Sequence, residues 1–161
     1  MNLRIGIGVD AHRRVNGRTL VLGGVTIPSA FGLEAHSDGD VICHAIIEAL
    51  LGAANMGDKG RLFPPTDEQY KGIRSTVLLE RTWSAVSRAH HVLVNVDVSV
   101  MCEEPRIAPH TDQMKQELAS AMKASPEQIS IKGTTLEHMG FTGRREGIAA
   151  MAVVLLTREQ S

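Results

Sequence analysis

Hydrophobic and polar residues alternate with a period of two from the start of the chain, in Leu3-Arg4-Ile5-Gly6-Ile7-Gly8-Val9. This is the spacing of a half-buried strand. Thr19–Leu22 and Val25–Ile27 flank Gly23-Gly24 and predict a hairpin. Ser37-Asp38-Gly39-Asp40 reads as a helix start, with Ser37 as the cap and an acid three residues on. The helix continues through Val41, Ala45, Ile46, Ala49, Leu50 and Ala53, which share one face, and Gly57 is its expected stop. The Gly- and Pro-rich stretch from Asp58 to Gly72 predicts a loop. A second helix is expected from Ser75 to about His90, and Val94, Val96, Val98 and Val100 mark the clearest strand, Val92–Cys102. Thr111 is placed to cap a third helix carrying Met114, Leu118, Ala121 and Met122. Two strands close the chain, Gln128–Thr134 and Ile148–Leu156. The second is almost continuously apolar and is expected at the centre of the sheet.

This order of elements predicts a single α+β domain over residues 1–161, with a ferredoxin-like mixed sheet and helices packed on one face. Among the 161 residues, five are aromatic and seven are histidine, so the core must be built from Val, Ile, Leu, Ala and Met. A net charge of −1 with dispersed Lys and Arg argues against nucleic acid or a membrane surface as a partner. Any anionic ligand must be held locally, by a metal or by backbone N–H groups. Cys43 and Cys102 lack a CxxC spacing and read as free thiols in a reducing compartment. No apolar run is long enough to span a bilayer, and Met1 is followed directly by a strand. The expectation is a soluble, cytoplasmic chain.

Three segments could carry chemistry. Asp10 and His12 sit at positions i and i+2 of a strand, on the same side. With His44 they make a carboxylate and two imidazoles, a three-ligand set that leaves one tetrahedral position open, as in catalytic zinc sites. The same residues can equally be a polar strand end and an unrelated helix histidine. His36 and Ser37 stand at a helix N-terminus, which suits phosphate, although plain capping explains Ser37 as well. Thr134 and Thr135 offer hydroxyls, and Glu137 could take a hard cation such as magnesium. His90, His91, His110 and His138 are expected to be structural or on the surface.

Taken together, Gly8-Val9-Asp10-Ala11-His12, Gly23-Gly24-Val25-Thr26-Ile27-Pro28, Ala35-His36-Ser37-Asp38-Gly39-Asp40-Val41, Asn95-Val96-Asp97-Val98 and Thr134-Thr135-Leu136-Glu137-His138-Met139-Gly140-Phe141-Thr142-Gly143-Arg144 resemble the 2-C-methyl-D-erythritol 2,4-cyclodiphosphate synthases of the non-mevalonate isoprenoid pathway. The resemblance runs from Arg4 to about Leu156. It implies a homotrimer of ferredoxin-like subunits with active sites between neighbours. It also implies a cytidyl diphosphate substrate, closed to the cyclodiphosphate with release of CMP. By motif, Asp10, His12 and His44 would hold Zn2+, and Glu137 a second divalent cation, Mg2+ or Mn2+. His36 and Thr135 would stabilise the transition state, and Ser37 would touch phosphate and polyol. Asp58, Lys59, Gly60, Phe63, Pro64, Pro65, Thr66 and Asp67 would contact the sugar and polyol hydroxyls. The loop Cys102, Glu103, Glu104, Pro105, Arg106, Ile107 and Ala108 would hold cytosine, and Thr134 and Leu136 would flank the diphosphate. Phe141 and Arg144 would lie near the trimer axis, facing a cavity that accepts isoprenoid-like diphosphates.

Three features depart from the pattern of this resemblance. Pro65 and Leu136 stand where Asp and Thr are frequent, and Glu103-Glu104 set two acids beside the nucleobase loop. Two rival readings use the same residues. One is a metal-dependent phosphohydrolase, and the other is a non-catalytic trimer that binds metal or isoprenoid diphosphate.

Overall fold

The first strand, β1 (Leu3–Asn16), sets the geometry of everything that follows. In the computed structural model, which describes residues 2–64 and 66–158, the predicted alternation is present but its faces are reversed. Gly6 and Gly8 are buried, whereas Ile5, Ile7 and Val9 are 72%, 62% and 55% exposed. The hairpin follows as β2 (Leu20–Leu22) and β3 (Val25–Ile27), joined by Gly23 and Gly24, both at positive φ. That is the backbone a two-residue hairpin turn requires. A short strand not anticipated from the sequence, β4 (Phe31–Leu33), pairs with the end of β1.

Helix α1 (Val41–Ala54) explains the reversal in β1. A Cβ at Gly6 would fall 1.9 Å from the Ala49 carbonyl oxygen, and one at Gly8 would fall 2.0 Å from that of Ala45. Only glycine lets the helix lie this close to the strand. The helix is capped by Asp40 and not by Ser37. The Asp40 carboxylate accepts from the N–H groups of Ile42 (3.0 Å) and Cys43 (3.2 Å), and from those of Gly23 (2.9 Å) and Gly24 (2.7 Å). One buried side chain therefore caps α1 and pins the hairpin turn. Burial and the neighbouring Asp38 push its carboxyl pKa up, and backbone N–H groups oppose them. The helix ends at Asn55, in the left-handed region, two residues before the expected Gly57.

The stretch expected as loop holds a single helical turn, α2 (Lys59–Leu62), and a 3-10 turn at Glu68–Tyr70. Then come α3 (Ser75–Arg88), β5 (His91–Met101), α4 (Thr111–Met122), β6 (Ile129–Thr134), the short α5 (Gly140–Gly143) and β7 (Gly147–Arg158). Thr111 does not cap α4: it is the first helical residue, and its hydroxyl donates to the Ala108 carbonyl.

The sheet order is β4-β1-β7-β5-β6, with β7 in the middle, as its continuous apolar run predicted. β7 lies antiparallel to both β1 and β5, so it splits a β–α–β unit, while β5 and β6 pair in parallel. The split unit is what this sheet shares with a ferredoxin-like arrangement. The parallel β5–β6 pair is what makes the sheet mixed.

The core lies between the sheet and the helices. Val96, Val98, Val100, Ala152, Val154 and Leu156 from the strands meet Ile42, Ile46, Leu50, Leu79, Leu118 and Met122 from the helices. The opposite sheet face is open. Ile5, Ile7 and Val9 stand across from Leu155, Val153 and Met151 and form a continuous apolar stripe. Among the described residues, no helix is long and apolar enough to cross a membrane.

Candidate active site

Asp10 and His12 continue the parity of Gly6 and Gly8, so both point toward α1. Because the glycines let α1 lie close, His44 in its first turn meets them. Asp10 Oδ2 is 3.0 Å from His12 Nε2 and 3.0 Å from His44 Nδ1, and the two ring nitrogens are 3.3 Å apart. Zinc bonds of about 2.0–2.1 Å at tetrahedral angles put donor atoms about 3.3 Å apart. The triangle thus fits one face of a zinc tetrahedron and leaves a fourth corner free. Among the described residues, these three form the metal-competent cluster, and Glu137 stands outside it. Lys59 Nζ lies 3.3 Å from Asp10 Oδ1. Burial works to raise the Asp10 pKa, but the two imidazoles and the Lys59 ammonium hold it well below the usual carboxylate range.

The far side of His44 is packed with oxygens. Its Nε2 is 2.8 Å from Ser75 Oγ and 3.2 Å from Ser37 Oγ. The Ser75 hydroxyl bonds Asp38, and the Ser75 N–H donates to Asp38 Oδ2 at 3.0 Å. His36 is exposed, with Nε2 3.4 Å from the Asp67 carbonyl. A cavity of about 230 Å³ opens here, lined by His12, His36, Ser37, His44, Lys59 and Phe63, with Ala35, Tyr70 and Leu78. Phe63 packs edge-on against Tyr70 at 5.4 Å and is only 8% exposed, so it is both core and cavity wall. Asp58 caps α2 through the Arg61 N–H (2.8 Å), and Asp67 caps the 3-10 turn through the Gln69 N–H (3.1 Å). Gly60, Pro64 and Thr66 are exposed on the same loop. Pro65 lies outside the described residues.

A second cavity, of about 370 Å³, is lined by Cys102, Glu103, Pro105, Arg106, Ile107, Ala108, Gly133, Thr134 and Thr135. The two acids beside it are both engaged. Glu104 pairs with Arg14 at 2.6 Å, whose guanidinium lies 3.7 Å above the Phe31 ring. Glu103 accepts from the His138 N–H at 3.2 Å and faces its Nδ1 at 3.4 Å. Burial, with the charges of Glu103 and Glu104, pushes the Cys102 thiol up to about 11, and burial raises Cys43 as well. Both cysteines are free and protonated at neutral pH. Thr135 donates to Glu137 at 2.9 Å, and Leu136 and Glu137 are exposed.

The two cavities share no lining residue. The residues expected to serve one site are therefore divided, within one chain, between two places. Phe141 lines a third hollow with Ala11, His12, Arg13, Glu146 and Gly147, and Arg144 pairs with Glu146 at 2.7 Å. His90, His91 and His110 line none of these cavities. Sequence reasoning missed Ser75, Tyr70 and Gly133. Ser75 opens a helix as an unremarkable serine, and nothing local marks it as the neighbour of His44. Gly133, where a Cβ would meet Ile107 at 3.0 Å, leaves room in the second cavity. Its one local signal is a glycine inside a strand pattern.

The model of the YgbB family matches residues 3–157. The chain is 53% identical over 154 residues to the 2-C-methyl-D-erythritol 2,4-cyclodiphosphate synthase of Moorella thermoacetica, covering 96% of this chain and 94% of that one. It is also 53% identical over 156 residues to the enzyme of the same name from Laribacter hongkongensis, covering 97% and 96%. Among solved structures it superimposes on the bifunctional IspDF of Campylobacter jejuni with a TM-score of 0.95 at 37% identity. That match covers 99% of this chain and 43% of the longer one. The IspF of Plasmodium falciparum in complex with CDP gives a TM-score of 0.86 at 31% identity, covering 99% and 98%.

Proposed function

From the premise that the chain belongs to the YgbB family, whose members similar to it are 2-C-methyl-D-erythritol 2,4-cyclodiphosphate synthases, we infer that it is a lyase of the same activity. It converts 4-diphosphocytidyl-2-C-methyl-D-erythritol 2-phosphate into 2-C-methyl-D-erythritol 2,4-cyclodiphosphate and CMP. An oxygen of the 2-phosphate attacks the β-phosphorus, the bond from that phosphorus to the bridging oxygen breaks, and CMP leaves with the electron pair. Nucleophile and electrophile belong to one molecule. The chain therefore supplies alignment and charge neutralisation, the two effects that dominate catalysis of phosphoryl transfer.

The observation that carries this reading is the donor triangle of Asp10, His12 and His44 beside the cavity of His36, Ser37 and Lys59. The triangle would hold zinc, and Glu137 a second divalent cation, Mg2+ or Mn2+. Bound there, the two ions supply Lewis acidity and a template for the phosphates. His36 and Ser37 donate to phosphate oxygens at the mouth of that cavity, and Lys59 adds a positive charge. Asp58, Gly60, Phe63, Pro64, Thr66 and Asp67 flank the polyol. The loop Cys102–Ala108, with Thr134 and Leu136 at its edge, receives the cytosine, and the Thr135 hydroxyl donates to the diphosphate. Two features favour active sites shared between copies of a homotrimer. The two cavities are separate within one chain, and the apolar stripe of Ile5, Ile7, Val9, Met151 and Val153 is uncovered. In such a trimer Phe141 and Arg144 approach the axis, where an isoprenoid diphosphate could sit. The enzyme works on a small soluble polyanion, and we place it in the cytoplasm.

Phosphorus NMR of the protein with the cytidyl substrate, zinc and magnesium tests the activity. The expected result is one cyclic diphosphate and one CMP per substrate. Inorganic phosphate as the product would instead support a phosphohydrolase, and no turnover would favour a binding module.

A further inference from the structure

We propose that Asp38 and Ser75 are positioning residues for His44, acting as a hydrogen-bonded chain that turns its Nδ1 toward Asp10 and His12. This rests on the metal reading of those three side chains and extends it to two residues with no role so far. Ser75 is fully buried, so water cannot satisfy its hydroxyl. An ionised carboxylate only accepts hydrogen bonds. Asp38 accepts from the N–H groups of Ser75 (3.0 Å) and Asp40 (3.2 Å), and from the Ser75 hydroxyl.

A hydroxyl has one proton. Ser75 gives its proton to Asp38 and presents only lone pairs to His44 Nε2 at 2.8 Å. The imidazole must therefore be the donor in that bond. Ser37 Oγ, 3.2 Å from the same nitrogen, is a second acceptor and itself takes the Gly39 N–H at 3.3 Å. With the proton on Nε2, the neutral ring has its lone pair on Nδ1. That lone pair faces Asp10 Oδ2 at 3.0 Å and His12 Nε2 at 3.3 Å. A cation at this point would take that lone pair; without one, an imidazole proton can bridge the same nitrogen to Asp10.

The chain also fixes the ring mechanically. Asp38 stands in the segment leading into α1, yet it receives the first N–H of α3, whose own N-cap residue, Arg74, makes no side-chain capping bond. The carboxylate ties the two helices together, and His44 leans on that junction. Partners opposite the metal on a histidine ligand typically change metal affinity by roughly 10- to 100-fold when removed.

The test measures zinc affinity by chelator competition in the wild type, Ser75→Ala, Ser75→Thr and His44→Ala. It adds 15N NMR of the imidazoles in the zinc-loaded wild type. The expected result is a loss of roughly 10- to 100-fold in Ser75→Ala and recovery in Ser75→Thr, which restores the hydroxyl. His44 should be protonated at Nε2 and unprotonated at Nδ1. A purely architectural Ser75 would lower the melting temperature without changing zinc affinity in the folded protein. Zinc affinity in Ser75→Ala within twofold of wild type would overturn the proposal, as would a proton on His44 Nδ1. The NMR arm decides the matter if Ser75→Ala does not fold. Should zinc bind the wild type but neither His44→Ala nor Ser75→Ala weaken it, the metal reading fails. Should His44→Ala alone lose zinc, only the positioning chain fails.

Discussion

The two large cavities of this chain are built in opposite ways. The one beside Asp10, His12 and His44 is locked from behind: each donor atom is held by secondary structure, and His44 by a hydrogen-bonded chain running into α3. The one at Cys102–Ala108 is lined mostly by loop residues, and its hydroxyls, Thr134 and Thr135, stand exposed at and just past the end of β6. A metal needs donors fixed to within a few tenths of an ångström. A nucleobase needs a slot and a few backbone partners. The contrast teaches that one cavity has its polar groups fixed from behind, while the other presents its polar groups open at the surface.

The strongest way to break this contrast is at the locked half. His44→Ala should lower turnover by about three orders of magnitude or more, with loss of bound zinc and an unchanged circular dichroism spectrum. Steady-state assay and metal analysis check this. Gly8→Ala comes next. Its Cβ would fall 2.0 Å from the Ala45 oxygen, so α1 must shift, at about 3 kcal/mol. Thermal unfolding should show the loss, and zinc affinity should fall with it, because the same close approach brings His44 to β1.

The open half should answer more gently. Cys102, its thiol pushed up to about 11, carries on the order of a hundredfold less thiolate at neutral pH than an ordinary thiol. Alkylation of the native protein should be correspondingly slow and should rise about tenfold per pH unit toward 11. CDP should slow it further by covering the cavity. The smallest effect is expected from Thr135→Val, which removes one exposed donor and should cost about tenfold in kcat/KM.

Much of the frame could be read from residue order. The run Ile148–Leu156 announced a central strand, and β7 does lie between β1 and β5, although its Met151 and Val153 stand on the open sheet face. Asp10 and His12 were legible as a pair because strand parity is local. Other features depend on partners remote in sequence. Ser37 and Asp40 are both good caps, and what selects Asp40 is the pair of N–H groups at Gly23 and Gly24. The alternation in β1 could not reveal which face is buried, since apolar residues suit a core and an interface between chains equally well. β4, with three residues, and α2, with four, are too short to show a period. The division of the site residues between two cavities belongs to topology: the parallel β5–β6 pair carries Cys102 and Thr135 to its own end of the sheet.

Mixing two inactive variants tests most directly whether the two halves make one site across neighbouring copies. His44→Ala removes the locked half, and Gly133→Phe fills the open one. Co-refolded in equal amounts, they should regain about a quarter of wild-type turnover, because one interface in four then joins an intact half from each chain. No recovery from the mixture, with each variant folded and assembled, would contradict a site shared between copies.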